Sequence, residues 1–185
     1  MVEVKLFIEG TNDNKNGDLR KGFGSLLEKI LKGRMPRIIM GDDRKQTIKK
    51  FLNETDAERK LLLIDLDAPK EKRESVLTEL NIQSEQESVF FMVQETEAWF
   101  CSQPEILDEV FGEEISKKVP KRDPQDIPNP DEKLQEWTRQ SPKGKYHKVK
   151  HAVELLQKLN AQKLQDSFPD VKNLFSTLQS TYADL

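Results

Sequence analysis

Hydrophobic positions along the chain fall into two kinds of run. Residues 2–8 (VEVKLFI), 37–40 (RIIM), 61–67 (LLLIDLD) and 88–94 (SVFFMVQ) are short and rich in branched or aromatic side chains, the pattern of strands. Between them, apolar residues recur at three- and four-residue spacing. Phe23, Leu26, Leu27, Ile30 and Leu31 predict a helix over 19–31; Ile48, Phe51 and Leu52 predict one over 44–52. Shorter helices are predicted over 74–80, 96–100 and 104–112, with Gly33 and Gly112 as stop signals. Residues 9–18 (EGTNDNKNGD) carry the Gly, Asn and Asp of a loop. Strand and helix thus alternate, which predicts an α/β domain on a mainly parallel four-stranded sheet flanked by helices.

The style changes after that. Residues 117–132 (KKVPKRDPQDIPNPDE) contain four prolines and no strand pattern. Beyond them only helical segments are predicted, over 131–139, 146–159 and 169–180. The expected organisation is an α/β domain over 1–116, a Pro-rich connecting loop over 117–130, and a helical extension over 131–185 packed on the same domain.

Composition narrows the class. Among 185 residues, 35% are hydrophobic and 34% charged. No apolar run approaches the ~20 residues of a membrane helix, so no membrane partner is expected. The first residues carry Glu3 and Lys5 inside their apolar stretch and read as a strand, not a signal peptide. Cys101 is the only cysteine, which excludes an intrachain disulfide and a cysteine-based zinc cluster. A cytoplasmic location is the expectation. With a net charge of −3, a nucleic-acid partner requires local basic patches.

Candidate chemistry sits where strands end. In an open parallel sheet, ligands bind beyond the carboxyl ends of the strands. Three of the four predicted strands end in acid: Glu9, Asp65 with Asp67, and Glu95 with Glu97. If the third strand runs on through Asp67, its period of two places Asp65 and Asp67 on one face. Taken singly, an acid after a strand is commonly a turn or capping residue. Carboxylates converging out of water repel one another and call for a cation. Hard oxygen donors suit Mg²⁺ or Mn²⁺.

The strand-end FIEG (7–10) followed by LLLIDLD (61–67) resembles the signature of the Toprim fold, found in topoisomerases, bacterial primases and overcoming-lysogenization-defect nucleases. More closely, FIEG, GRMPRI (33–38), LLLIDLDAP (61–69), MVQETEAWF (92–100) and GKYHKVKHAVELL (144–156) resemble the bacterial Toprim-like family called domain-of-unknown-function family 4276. The resemblance implies a Toprim-like, Rossmann-like fold and a metal-dependent phosphodiesterase or nuclease. In it Glu9 matches the glutamate assigned as general acid or base, Asp65 and Asp67 the magnesium ligands, and Glu97 the glutamate before Ala-Trp-Phe. Asp13 is the nearest match to a further acid that many Toprim nucleases carry after the glycine.

Residues 143–151 (KGKYHKVKH) hold Lys143, Lys145, His147, Lys148, Lys150 and His151 without an acid. Such a run suits phosphate, although a solvated basic helix start reads the same way. His147 and His151 are spaced to share a helix face, but no further histidine exists to complete a zinc site. Since the resemblance covers Tyr146, His147, Lys148 and His151, Lys148 and His151 are assigned to the catalytic set. Lys148 is placed against charge on a transferring phosphate. Arg34, Arg37 and Arg44, with Lys145, His147 and Lys148, are the expected phosphate or nucleic-acid contacts. Trp99, Phe100, Trp137 and Cys101 are expected in packing.

Two other readings compete. IDLDA resembles the nucleophile motif of haloacid-dehalogenase phosphatases, with Asp65 attacking and Asp67 as acid or base. The acidic pair Asp42–Asp43 comes too early for that family, and Ala68–Pro69 stands where Gly and Thr are usual. Alternatively, the chain is a non-catalytic nucleic-acid-binding or regulatory subunit. Having no Walker loop, it would partner a separate ATPase, by analogy with effectors of bacterial phage defence.

Overall fold

Alternation within the strands decides the layering. In β1 (Val4–Ile8), Val4, Leu6 and Ile8 join one buried cluster and Phe7 the other. In β3 (Arg59–Asp65), Leu61 and Leu63 side with the first cluster, Leu62 and Ile64 with the second. In β4 (Val89–Met92), Phe90 and Met92 oppose Val89 and Phe91 in the same way. Strands buried on both faces must be apolar throughout, which is why 61–64 reads as a continuous run. With β2 (Arg37–Met40), they form an all-parallel sheet in the order β2-β1-β3-β4. This computed structural model describes residues 3–11, 15, 17–112 and 114–183; Asp13 lies outside them.

The second face is covered by α2 (Arg44–Leu52), through Ile48 and Phe51, and by α3 (Arg73–Glu79), through Val76 and Leu77. The first face is larger. It carries α1 (Leu19–Leu31), α4 (Thr96–Cys101), α5 (Glu105–Phe111), α6 (Pro130–Thr138), α7 (Lys150–Lys158), α8 (Ala161–Ser167) and α9 (Pro169–Ala183). Residues 115–118 and 124–126 of the Pro-rich stretch form single 3₁₀ turns. No described helix is long and apolar enough to cross a membrane.

Helix α7 packs against α1, and Gly22 makes the approach possible. A Cβ there would stand 2.9 Å from Leu156 Cδ1 and 3.2 Å from the Val153 Cα. Helix α9 covers the outer edge of β4: the Asp170 carboxylate accepts the Phe91 N–H at 2.7 Å, and the Arg73 guanidinium donates to the Val89 carbonyl at 3.1 Å. Side chains thereby satisfy groups that an unprotected edge strand would offer to another chain.

Several boundaries differ from the periodicity. Strand β3 stops at Asp65, two residues short of expectation, because Asp67 adopts a left-handed φ of 51°. Helix α7 starts at Lys150, not 146. The His147 ring Nδ1 accepts the N–H groups of Val149 and Lys150 at 3.2 and 3.3 Å, ending the preceding turn. Helix α8 was not anticipated: its only buried residues are Ala161 and Leu164, too few for a periodic signal.

Candidate active-site cleft

A cleft of about 190 Å³ opens at the carboxyl ends of the strands, lined by Glu9, Asp65, Glu97 and Lys148 among others. Each acid is delivered by a different device. Glu9 follows β1, and its backbone is clamped on both sides. The Glu9 N–H donates to the Leu63 carbonyl at 3.0 Å, and Gly10 exchanges two hydrogen bonds with Asp42 at 2.8 and 3.2 Å. Gly10 has φ +137°, which L side chains rarely adopt, and a Cβ there would meet Leu19 Cδ1 at 3.1 Å. Glycine after the glutamate is therefore a backbone requirement.

Asp65 ends β3 on the face of Leu61 and Leu63. Its Oδ1 accepts the Thr96 N–H at 2.9 Å and the Thr96 hydroxyl at 3.2 Å, so it caps α4 from a neighbouring strand. Glu97, in the first turn of α4, is buried, and its Oε1 accepts the Tyr146 hydroxyl at 2.9 Å. Tyr146 is itself buried, and its N–H donates to Thr138 Oγ1 at 2.7 Å. Lys148 ion-pairs with Asp131 at 3.1 Å.

Asp67 does not join Asp65. Its left-handed turn breaks the alternation, and its carboxylate pairs with Arg44 at the start of α2. Arg44 also reaches Glu9 Oε2 at 3.5 Å, and that same oxygen accepts the Asp65 N–H at 3.1 Å. The acids thus divide. Asp65 and Glu97 turn toward α4 on one side of the sheet; Asp67 turns toward α2 on the other; Glu9 sits between.

Burial and mutual repulsion show in their proton affinities. Burial raises Asp65 well above the ordinary carboxylate range, and the charges of Glu97, Glu9 and Asp67 raise it further. Burial likewise carries Glu97 up to about 7, against the lowering pull of Lys148 and the Tyr146 hydroxyl. Glu9 is raised by burial, with Arg44 opposing. Lys148 is raised because Glu97 and Asp131 together outweigh its own burial.

A divalent cation would meet these donors as carboxylate ligands. Their chemistry fits: hard carboxylate oxygens whose mutual repulsion a cation relieves. Their arrangement is not yet closed. Among the described residues no group of three or more His, Cys, Asp or Glu side chains could hold a metal ion as it stands. Arg44 pairs with both Asp67 and Glu9 and supplies positive charge of its own.

Other expected site residues lie elsewhere. Arg37 opens β2, at the opposite end of the sheet from the cleft, and pairs with Glu3 at 3.4 Å. Arg34, in the turn before β2, donates to the Tyr182 carbonyl at 2.6 Å. Neither can line a crevice at the carboxyl ends of the strands. His147 caps α7 instead of sharing a helix face with His151. His151 does not line the cleft: it is buried behind Tyr146, its ring edge-on to Phe111 at 4.9 Å, and its Nδ1 accepts the His147 N–H at 2.9 Å. Lys145 is exposed. Trp99, Phe100 and Cys101 are buried in the core, and Trp137 packs against it.

Two site residues, Thr96 and Asp131, were not singled out from sequence, and Tyr146 was named there only through the family resemblance. Thr96 and Asp131 are ordinary helix-start residues by pattern. Tyr146 carried no sign of its bond to Glu97, 49 residues away.

Comparison with known proteins gives one result. The family model described as "Domain of unknown function (DUF4276)" matches residues 19–179, a stretch that holds Asp65, Asp67, Glu97 and Lys148 and begins after Glu9. No curated protein and no solved structure matches the chain.

Proposed function

The chain belongs to the domain-of-unknown-function family DUF4276, and from that premise we propose that its cleft is a Toprim-like, Mg²⁺- or Mn²⁺-dependent phosphodiesterase centre of nuclease type. One observation carries the reading: Glu9 and Asp65, at the ends of β1 and β3, and Glu97, in the first turn of the helix that follows β4, line one cleft with Lys148. The Toprim likeness rests on the same geometry, since Glu9–Gly10 and Asp65–Asp67 end neighbouring strands β1 and β3.

Asp65, Asp67, Glu97 and Glu9 are the residues that would hold the cation. When bound, it would supply an activated water and neutralise charge on the phosphate. The chain's own groups have distinct tasks. Glu9 is the proton acceptor or donor: burial raises its affinity toward neutral pH, where general acid–base groups work best. Lys148 is aimed at phosphate oxygens. Tyr146 fixes the orientation of the Glu97 carboxylate. Asp131 and Glu97 hold the Lys148 ammonium in its charged form.

The test is hydrolysis of a single-stranded oligonucleotide, a supercoiled plasmid, a structured RNA and a phosphate monoester, with Mg²⁺, Mn²⁺ or Zn²⁺. Diester cleavage with Mg²⁺ or Mn²⁺ but not Zn²⁺ alone, reduced by orders of magnitude in Glu9→Gln, is expected. Full activity in Glu9→Gln, or monoester turnover alone, would sink the proposal.

A second reading has its own support. Arg44 already neutralises Glu9 and Asp67, as in a scaffold that has no need of a cation. In that case the chain is a non-catalytic subunit for a separate ATPase, in a phage-defence setting. It would turn over none of the four substrates with or without that partner.

A further inference from the structure

Beyond the acidic cleft lies a groove of opposite character. It holds about 540 Å³ and is lined by Lys117, Lys118, Lys121 and Arg122, with Ser102 and Pro120; among the described residues no Asp or Glu lines it. In a chain of net charge −3, four clustered cations, of which only Lys117 is ion-paired among the described residues, make a local positive field. Of the described acids nearby in sequence, Asp108 is engaged by Ser116, Asp123 and Asp126 outside the groove, and Glu114 by a lysine of the groove itself. Asp108 accepts the Ser116 N–H at 2.7 Å and its hydroxyl at 2.5 Å, Asp123 and Asp126 pair with Lys70 at 3.0 and 3.3 Å, and Glu114 pairs with Lys117 at 2.6 Å. Lys118 donates to the Trp137 carbonyl at 2.7 Å, which pins that wall. Lys121 and Arg122 are exposed, and their side chains have no partner among the described residues.

The groove's position links it to the cleft. Cys101 at its floor and Glu97 in the cleft are four residues apart on α4, so they share a helix face about 6 Å apart along the axis. The turn at 124–126 is tied to the same end of the sheet. Gln94 donates to the Gln125 carbonyl at 3.2 Å, and the Gln94 carbonyl accepts the Asp67 N–H at 2.8 Å. Basic groove and acidic cleft therefore adjoin along one short helix.

We infer that the groove formed by residues 116–124 binds the sugar–phosphate backbone of a single-stranded nucleic acid, with Lys121 and Arg122 as its principal phosphate contacts. This rests on the proposed phosphodiester chemistry of the cleft and names its substrate class. Phosphates flanking the reacting one lie against the cations, while the reacting one meets the carboxylates. A polyanion of evenly spaced charges suits a groove whose cations lie along one chain segment. An acidic polypeptide is the competing occupant.

The experiment is fluorescence anisotropy of a labelled oligothymidylate against the full chain, in EDTA so that no cleavage occurs, across a salt series. Lys121→Ala/Arg122→Ala should weaken binding at least tenfold and flatten the log–log salt slope by about 1.4, at ~0.7 per single-strand phosphate contact. Charge reversal at both positions should weaken it further, with the thermal midpoint unchanged because both side chains are exposed. Because binding is read in EDTA, where no cleavage is required, the two proposals separate: binding that depends on Lys121 and Arg122 upholds the groove even if no cleavage is ever seen. Unaltered affinity and slope in the double variant, no binding by the parent chain, or displacement of the oligonucleotide by polyglutamate at equal charge would each overturn the assignment.

Discussion

Replacing Glu97 by glutamine should reshape the pH dependence of stability. The carboxyl is buried, and folding carries it from its ordinary 4.5 to about 7. Folding therefore favours the protonated form. The contribution is fully present below pH 4.5 and is lost as pH rises through about 7. At ~1.4 kcal/mol per tenfold change in proton affinity, the ionised carboxylate costs the folded protein roughly 3 kcal/mol at pH 8. For a chain of this size that is roughly 6–12 °C in thermal midpoint. Glutamine keeps an oxygen for the Tyr146 hydroxyl and removes the charge, so Glu97→Gln should escape the loss.

The assay is urea unfolding of parent and variant from pH 4.5 to 8 in EDTA. Asp65 and Glu9, also raised by burial, shift both curves and largely cancel in the difference, apart from their coupling to Glu97. The stability of the parent relative to the variant should fall by roughly 3 kcal/mol across that window. Parallel curves, or a parent that gains on the variant as pH rises, would refute the assignment of Glu97 as a carboxylate held against its own ionisation.

Mg²⁺ or Mn²⁺ should raise the thermal midpoint, since a ligand of the folded state stabilises it, and Asp65→Asn should abolish the increment; an equal response in that variant would remove Asp65 from the site. Arg44→Gln should tighten Mn²⁺ binding in calorimetry by freeing Asp67 and Glu9, and weaker or unchanged binding would mean that the guanidinium does not compete with a cation. Asp170→Ala should lower stability by about 1–3 kcal/mol, because it strands the Phe91 N–H at the sheet edge; a loss below about 0.5 kcal/mol in urea unfolding would show that solvent replaces the carboxylate.

What the pattern of residues conveyed, and what it did not, divides along physical lines. Strands β1, β3 and β4 and helix α1 were legible because their burial is continuous or periodic, and burial is what hydrophobic patterning records; β2, largely half-buried, was legible from its branched residues. Helix α8 was not, since it buries only two side chains and is set by the Asn160 cap, whose Oδ1 accepts N–H groups from Gln162 and Lys163. Arg34 and Arg37 looked eligible for the cleft because nearness in sequence to a strand says nothing about which end of it they occupy. The parallel direction of β2 then places them at the far end. The bond between Tyr146 and Glu97 joins residues on separate segments and has no local signature.

The Asp-x-Asp pattern teaches the most. Period-two reasoning holds only while the backbone stays extended, and it fails at Asp67, where φ turns positive. The consequence is functional. Were both aspartates on one face, the α4 side would gather Asp65, Asp67 and Glu97, and Arg44 would face Glu9 alone. With Asp67 turned toward α2, the acids straddle the sheet end, and Glu9 is shared between the Arg44 guanidinium and the Asp65 N–H. Arg44 then holds two of the four acids, and a cation in the cleft would compete with it for them. The reading of the cleft as a cation-dependent centre and its reading as a self-neutralised scaffold thus differ at one side chain. That side chain stands at the first position of a helix N-terminus, where the helix dipole favours anions over its own charge. A cation placed there by the sequence is stabilised by the carboxylates it faces, and a phosphate brought into the cleft offers it the same partner chemistry.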